Sequence, residues 1–338
     1  MPHPRDPALL LAAARLYYLQ GQSQAQVATS LGTSRSNVSR MLTEALAQGI
    51  VEIRINDPAG RVTELEQALV AAFGLRDARV AHASGLPTLR VGDLVGTQAS
   101  RLLLEHLKDD TTVALSWGRA LQAMVYATVC EQAFHRLRLV QLVGGLSSVS
   151  NEVSGQELVR ELAVRLGAEY RFLHAPATLG SERSRDALMA EPSIAQALDE
   201  AAGADLAFVG IGTPSHGSSA AVLDALDLTE AEQARFWSAD PVGDVAARYY
   251  TADGQPVLGP VDRRIVGVPL ARLLEVPHVV GIAWGRAKTP GVLGALRGRV
   301  VDSLVCDEAL ARSVLSAHAD GTRTEPTRPT TARREETR

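Results

Sequence analysis

Arginine, serine and asparagine side chains cluster between residues 34 and 43, and their hydrogen-bonding groups are of the types that can contact DNA bases and phosphates. Arginine can pair with guanine edges and asparagine with adenine edges, while serine hydroxyls suit phosphate oxygens. Apolar residues recur through the same stretch at helical spacing, so the polar ones should occupy the opposite face. We therefore predict DNA contacts from Ser34, Arg35, Ser36, Asn37, Ser39, Arg40 and Thr43.

The residues around this stretch have the spacing of a helix-turn-helix. Ala28 is small enough for two helices to cross, Gly32 suits the tight turn, and Val38 can anchor the second helix. Ser23, with a glutamine three residues later, is typical of a capping box that begins the first helix. The alternating strand at 50–55 is predicted to form a wing. A plain three-helix packing module is the alternative, but it would need these positions to coincide by chance.

Glycine-bearing segments follow three predicted strands in the rest of the chain. At such a junction, unpaired backbone N–H groups and the positive end of the next helix face an incoming anion. Arg119 would add a charged donor fork, Lys288 is one of only two lysines, and Asp244 could accept from a sugar hydroxyl. We predict a ligand cleft that contains Ser116, Trp117, Gly118, Arg119, Gly144, Gly145, Gly210, Gly212, Thr213, Asp244 and Lys288.

These ligand assignments have structural alternatives. A tight turn would explain residues 116–119 without any ligand, and a cap or turn role would explain Asp244. The scattered histidines, including His174 and His216, show no metal-like pairing and are interpreted as structural. The residues therefore predict no metal site and no cofactor. No catalytic residue is assigned, although Asp244 and Lys288 are an acid and an amine of the types that an isomerase could use.

Short β-branched runs alternate with helical stretches along most of the chain. This alternation predicts an α/β fold with a largely parallel sheet covered on both faces. Ligands in such sheets bind at the C-terminal ends of the strands. The predicted strands are 111–117, 137–143, 170–175, 205–211 and 279–283. Helical patterns follow most of them, notably at 119–129 and 156–166.

Composition and turn signals divide the chain into four predicted parts. Residues 1–56 form the winged helix-turn-helix domain, and residues 57–78 a linker and a helix. Residues 79–317 form a domain for effector binding and oligomerisation. Residues 318–338, which are mostly Thr, Arg, Pro and Glu, are predicted to be a disordered tail.

Bulk composition excludes several classes of protein. With 46% hydrophobic residues, 21% charged residues and a net charge of −4, the chain is globular, and any DNA contact must come from a local basic patch. The two cysteines, Cys130 and Cys306, lie too far from other ligands to predict a zinc site or a disulfide framework. Arg15 interrupts the apolar run at 9–14, which is too short to span a membrane. We expect a cytoplasmic protein with no membrane partner.

From about residue 9 to 315, the chain resembles the SorC family of sugar-binding bacterial transcriptional regulators. The resemblance implies a winged helix-turn-helix joined to an effector domain similar to the sugar-phosphate isomerase and CoA-transferase fold. It also implies a dimer or tetramer whose effectors are phosphorylated sugars or related metabolites. The segments that carry it are 14–18, 49–55, 115–119, 140–145, 204–212, 242–245 and 294–298.

Three departures from the family pattern fall near the predicted cleft. Ala120 stands where the family often has threonine, which removes one hydroxyl donor. Residues 154–156 replace a common Asn-Ala-Asn segment, and Trp284 with Gly285 replaces Gly-Gly. The tryptophan adds bulk and a stacking surface beside Lys288. The identity of the effector is therefore the least transferable part of the resemblance.

The sequence favours a transcriptional regulator without catalytic activity. Its expected partners are double-stranded operator DNA, a small anionic sugar or sugar phosphate, and further copies of itself in a dimer or tetramer. One alternative is an isomerase-like enzyme of sugar-phosphate metabolism with an appended DNA-binding module, although such an enzyme has no need for residues 9–55. Another is a DNA-binding protein whose second domain only oligomerises.

Overall fold

The computed structural model describes residues 7–51, 60–83, 85–146 and 154–323. The chain divides into two compact units, with the division between Asn56 and Asp57. Each unit has hydrophobic residues buried in its own interior.

The first unit consists of short helices around a small apolar core. Its helices are α1 (Pro7–Ala14), a π-helical turn (Arg15–Leu19), α2 (Gln24–Ser30) and α3 (Arg35–Ala47). The predicted capping box is present, because Ser23 and Gln26 each accept a hydrogen bond from the other's backbone N–H. Gly32 has a φ of +61°, which glycine adopts without strain. The core residues are Leu10, Ala13, Ala14, Val27, Ala28, Val38, Met41, Leu42 and Ala45.

The predicted wing strand at 50–55 falls mainly outside the described residues, which resume at Gly60. Within the described part, the Val51 N–H donates to the Ala45 carbonyl oxygen at 3.1 Å. The wing therefore stays a prediction.

The second unit is built on one β-sheet. Its strands are β1 (Asp77–Ala81), β2 (Thr112–Leu115), β3 (Arg138–Gln141), β4 (Glu169–Tyr170), β5 (Leu206–Gly212), β6 (Gly243–Val245), β7 (Arg248–Tyr250), β8 (Val279–Ile282) and β9 (Ser303–Asp307). Seven strands pair in parallel in the order β1-β9-β8-β5-β2-β3-β4. The hairpin β6–β7 adds antiparallel pairing at the end of β5.

Helices cover both faces of this sheet. They are α4 (Thr63–Phe73), α5 (Thr88–His106), α6 (Arg119–Ala127), α7 (Gly155–Leu166), α8 (Glu182–Met189), α9 (Pro192–Ala202), α10 (Gly217–Asp224), α11 (Glu230–Ser238), α12 (Leu270–Leu273), α13 (Thr289–Arg297) and α14 (Glu308–Arg323). Successive residues of β5 belong to opposite cores, with Leu206 and Phe208 in one and Ala207 and Val209 in the other. The predicted α/β architecture with a parallel sheet is confirmed. No helix in the described ranges combines the length and apolar character needed to cross a bilayer.

Several predicted boundaries differ from the structure. The domain boundary expected after residue 78 falls inside β1. The strand expected at 170–175 ends at Tyr170, and the Leu173 N–H donates instead to the side chain of Gln141 at 2.9 Å. The tail expected from residue 318 begins inside α14, because the His318 ring packs against Phe73 at 4.6 Å and the helix continues to Arg323. Residues 324–338 lie outside the described part of the chain.

A buried histidine lies at the start of β8. The His278 Nε2 is 2.8 Å from the Ser303 Oγ, and its ring is 4.8 Å from the His106 ring. Burial, followed by the neighbouring His106 and Arg76, lowers the pKa of His278 more than nearby carboxylates raise it. The folded protein therefore binds a proton at His278 less readily than the unfolded chain does.

We expect this histidine to make stability depend on pH. Its contribution is fully present above the ordinary histidine pKa of about 6.5 and is lost as the pH falls through that value towards the lower folded-state pKa. Thermal denaturation between pH 8 and pH 5 measures this slope, which His278→Gln should reduce. His135→Gln, at an exposed position, is the matched control and should leave the slope unchanged. Equal slopes in the wild type and His278→Gln would contradict the assignment.

Candidate functional site

The polar residues predicted to read DNA lie on one face of α3 or at its start. Val38, Met41, Leu42 and Ala45 are buried on the opposite face. Asn37 is half-buried, and the exposed members of the set are Ser34, Arg35, Ser36, Ser39, Arg40 and Thr43. The helix therefore presents the predicted side chains together, and their role in DNA binding stays a prediction.

Local hydrogen bonds already occupy several of these groups. The Ser34 hydroxyl caps α3 by accepting from the Asn37 N–H at 3.2 Å. The Asn37 side-chain amide donates to the Thr33 Oγ1 at 2.8 Å, and the Thr43 hydroxyl donates to a backbone carbonyl one turn earlier. Arg35 and Arg40 are long and exposed, so they are the members best placed to reach a base edge.

A central cavity of about 330 Å³ lies at the C-terminal ends of β2, β5 and β8. This is the point where the strand order reverses. Strands β2, β3 and β4 lie on one side of β5, whereas strands β8, β9 and β1 lie on its other side. Open α/β sheets bind ligands at such a reversal. The lining residues are 116–120, 210–213, 216–219, 244, 246–247, 282–285 and 287–288.

The central cavity brings most of the predicted ligand residues together. Those that line it are Ser116, Trp117, Gly118, Arg119, Gly210, Gly212, Thr213, Asp244 and Lys288. His216, which the sequence favours as structural, also lines the cavity, with its Nδ1 at 2.8 Å from the Ser215 Oγ.

The prediction that Gly144 and Gly145 supply donors to the ligand is wrong. Their N–H groups already donate to the carbonyl oxygens of Val266 and Ala175, at 3.0 and 2.9 Å. Neither glycine lines the cavity. Gly144 instead positions a lining residue, because its carbonyl oxygen accepts from the Trp117 indole N–H at 2.9 Å.

Two helices begin at the central cavity without a side-chain cap. Gly118, with a φ of +105°, precedes α6, and His216 precedes α10; neither accepts an N-terminal N–H of its helix through a side chain. The first N–H groups of both helices thus carry the partial positive charge that attracts anions. Arg119 and Lys288 add full positive charges to the same lining. The glycine-bearing segment after β5 is predicted from the sequence, but the start of α10 at Gly217 is not, because 213–217 has the composition of a polar loop.

Asp244 lies in strand β6, and its carboxyl group accepts from the Ala247 N–H in the turn that follows, so the turn alternative for this residue agrees with the structure. Its side chain is buried, and its Oδ1 accepts from the Ser219 hydroxyl at 2.5 Å. Burial raises the pKa of Asp244, although the Ser219 hydroxyl, the charge of Lys288 and the Ala247 N–H each oppose that rise. A buried carboxyl with these neighbours can hold a ligand hydroxyl in one orientation.

A strained turn next to Asp244 helps to place it. Ala246 and Ala247 have φ values of +49° and +62° and join β6 to β7. Left-handed geometry costs a residue other than glycine about 1–2 kcal/mol. The neighbours hold the turn, since the Tyr249 hydroxyl donates to the Ser219 carbonyl oxygen at 2.5 Å. Ala-Ala is not a usual residue pair in such turns, so no local pattern predicts this one.

Gly212 and Gly210 lie on the same strand but have different surroundings. A Cβ on Gly212 would lie 1.9 Å from the Asp244 Oδ1 and 2.0 Å from the Ser219 Oγ. The Gly210 N–H donates to the Ser116 hydroxyl at 3.2 Å and ties the ends of β2 and β5 together. Gly212 is therefore required by the Asp244–Ser219 pair, and Gly210 by no comparable contact.

Comparisons with known proteins agree with this architecture. The family of sugar-binding domains named Sugar-bind matches residues 57–316. The sorbitol operon regulator of Klebsiella pneumoniae is 30% identical over 93% of this chain and 100% of its own length. The transcriptional regulator LsrR of a strain of Klebsiella pneumoniae subsp. pneumoniae is 28% identical over 92% of this chain and 94% of its own.

Solved structures extend the similarity to three dimensions. The full-length sorbitol operon regulator SorC from Klebsiella pneumoniae aligns with a TM-score of 0.70 at 31% sequence identity. That alignment covers 93% of this chain and 100% of the other. The similarity therefore includes residues from both units.

Proposed function

This chain belongs to the SorC family of transcriptional regulators with a sugar-binding domain, and from that premise we propose that a small anionic carbohydrate, a sugar phosphate, controls its affinity for operator DNA. One observation carries the proposal. Two uncapped helix N-termini, Arg119 and Lys288 converge on a cavity that also contains the buried Asp244.

The two kinds of group in the cavity suit the two ends of a sugar phosphate. Phosphate oxygens accept from N–H groups at the starts of α6 and α10, and the helix dipoles favour their charge. Arg119 can form two parallel hydrogen bonds to a phosphate, and Lys288 adds a point charge. The Asp244–Ser219 pair can accept hydrogen bonds from hydroxyl groups of the sugar or donate hydrogen bonds to them.

The first unit would read the operator with α3 in the major groove. One recognition helix contacts only a few base pairs, so two-fold pairing of subunits supplies a longer site. We expect half-sites about 34 Å apart, or multiples of that spacing, bound by a dimer or tetramer. The effector then acts by favouring one of two states of this assembly that differ in operator affinity. No turnover of the carbohydrate is required.

Charge distinguishes a phosphorylated effector from a neutral one. Calorimetry and thermal shift with glucose 6-phosphate, ribose 5-phosphate and their unphosphorylated forms measure the binding. We expect Lys288→Ala to weaken a phosphorylated probe by roughly 10- to 100-fold, because hydrogen bonds to charged groups contribute about 1.5–3 kcal/mol. A neutral sugar should lose much less, and operator binding without effector should stay intact.

Lys108→Ala is the matched control, because Lys108 is the other lysine of the chain and is exposed away from the cavity lining. It should leave all affinities unchanged. If a neutral sugar binds tightly and both Arg119→Ala and Lys288→Ala are silent, the phosphate site must be abandoned. Catalytic turnover of any probe in the absence of DNA would favour the alternative, an isomerase-like enzyme with an appended DNA-binding module.

A further inference from the structure

We propose that Trp284 determines the class of effector by providing a flat stacking wall for the ring form of a sugar. The inference rests on the proposed function and narrows it to cyclic monosaccharide phosphates over their open-chain counterparts. Two of the three tryptophans of the chain, Trp117 and Trp284, line the central cavity. They differ in what holds them.

Trp284 follows β8 directly, beside Ile282 and Ala283, which also line the cavity. Its side chain is half-buried, and one edge of the indole lies against α5 at Gly92. A Cβ at residue 92 would lie only 3.1 Å from the Trp284 Cζ2 and 3.4 Å from its Cε2. The missing side chain at Gly92 therefore leaves the space in which the indole lies.

The backbone after Trp284 is fixed as well. Gly285 has a φ of +85°, and its N–H donates to the buried Asp307 carboxylate at 2.8 Å. The Lys288 N–H then donates to the Gly285 carbonyl oxygen at 3.0 Å. The indole and the ammonium group that line the cavity are thus carried by one hydrogen-bonded turn.

Trp117 is committed to the framework in a way that Trp284 is not. The Trp117 indole N–H donates to the Gly144 carbonyl oxygen, and the ring lies against Gly155, where a Cβ would be 3.0 Å from its Cδ1. Within the described part of the chain, the Trp284 indole N–H has no protein acceptor. Trp284 also packs against the apolar core, so the parts of it that stay available to a ligand are its N–H and the surface that lines the cavity.

The chemistry of an indole face fits a sugar ring. The face of an aromatic ring is electronegative and attracts the partly positive C–H groups along one side of a pyranose or furanose. Hydroxyl groups at the rim of the ring remain free to reach Asp244 and Ser219, and a phosphate can reach the helix N-termini. An open-chain polyol phosphate has the same charge but no preformed flat face, so it gains less from Trp284.

The test compares ring and open-chain probes of equal charge on the full-length protein. The probes are glucose 6-phosphate with sorbitol 6-phosphate, ribose 5-phosphate with ribitol 5-phosphate, and inorganic phosphate. We expect Trp284→Leu to bind the ring probe for which the wild type has the higher affinity about 10-fold more weakly than the wild type does. The open-chain partner and inorganic phosphate should change less than about 2-fold, and Trp284→Phe should restore most of the ring affinity.

Gly92→Ala displaces the indole from outside the cavity and gives an independent measurement. It should weaken the ring probe and change the tryptophan fluorescence, while inorganic phosphate binding stays the same. Thermal denaturation of each variant checks that it is folded. If Trp284→Leu is not folded, Trp284→Phe and Gly92→Ala test the stacking role instead. The quantity compared is again the ratio of the affinities for the ring probe and its open-chain partner, which Gly92→Ala should lower and Trp284→Phe should largely keep.

Each outcome bears on a separate claim. An equal loss for ring sugars and inorganic phosphate, or no loss in either, would overturn the stacking role and leave the regulator intact. Binding of unphosphorylated glucose that depends on Trp284 would support the stacking wall and refute the phosphate part of the proposed function. If no probe binds the wild-type protein, both proposals fail.

Discussion

Replacing Gly212 by alanine should destabilise the protein and remove most of its effector binding, whereas the same change at Gly210 should do neither. The added Cβ at 212 would lie 1.9 Å from the Asp244 Oδ1 and 2.0 Å from the Ser219 Oγ. Both side chains are buried, so they can move away from the added methyl group only towards the cavity that they line. We expect this shift to break the hydrogen bond between them.

The expected size of the effect follows from two terms. Leaving a buried polar group unpaired costs about 1–3 kcal/mol, and forcing an extra methyl group into a packed site costs about 1–3 kcal/mol. We therefore expect Gly212→Ala to lower the free energy of unfolding by roughly 2–6 kcal/mol. Displacing the Asp244 carboxyl, which would orient the sugar, should weaken effector binding by about 100-fold.

Gly210→Ala is a sharp control because it lies on the same strand and also borders the cavity. Its Cβ would meet nothing closer than the Leu121 Cδ2 at 3.5 Å, an ordinary contact distance. At a position without positive φ, alanine for glycine stabilises by about 0.4–1 kcal/mol through the unfolded chain. Urea denaturation should therefore move in opposite directions for the two variants. Wild-type stability and effector affinity in Gly212→Ala would show that the Asp244–Ser219 pair is not needed.

Features encoded by local spacing could be predicted from the sequence. The turn at Gly32 and the exposed face of α3 depend on residues within a few turns of one another. The parallel sheet could be predicted because its central strands are apolar runs bounded by turn signals. The starts of α6 and of the 3₁₀ turn Arg286–Lys288 follow closely after strand ends.

Features created by distant contacts could not be predicted in this way. The Gly144 and Gly145 pair resembles a ligand loop, yet its N–H groups donate to Val266 and Ala175 across the fold. The close approach of Gly92 to Trp284 joins residues almost two hundred positions apart. Strands β1 and β9, which were not predicted from the sequence, pair with each other at one edge of the sheet. No local pattern around these residues predicts which distant residues they contact.

Arg40→Ala should weaken operator binding and relax its sequence preference without unfolding the first unit. Arg40 lies on the exposed face of α3, while the neighbouring Met41 is fully buried and holds the helix. A base-contacting arginine contributes about 1–3 kcal/mol, which corresponds to roughly a 5- to 150-fold loss of affinity. The relaxed base pair should recur at symmetric positions in both half-sites, because a symmetric oligomer places the same residue on each.

Arg15→Ala removes an equal charge from the exposed surface before α2 and serves as the matched control. A phosphate contact would weaken all DNA sequences alike and reduce the salt slope by about 1, whereas a base contact changes the ranking of sequences. Fluorescence anisotropy on single-base variants of an operator selected by the wild-type protein, at two salt concentrations, separates these effects. Unchanged ranking in both Arg35→Ala and Arg40→Ala would remove α3 as the reading helix. Relaxation at one position only would argue against a two-fold symmetric complex, because symmetric subunits place identical side chains on both half-sites.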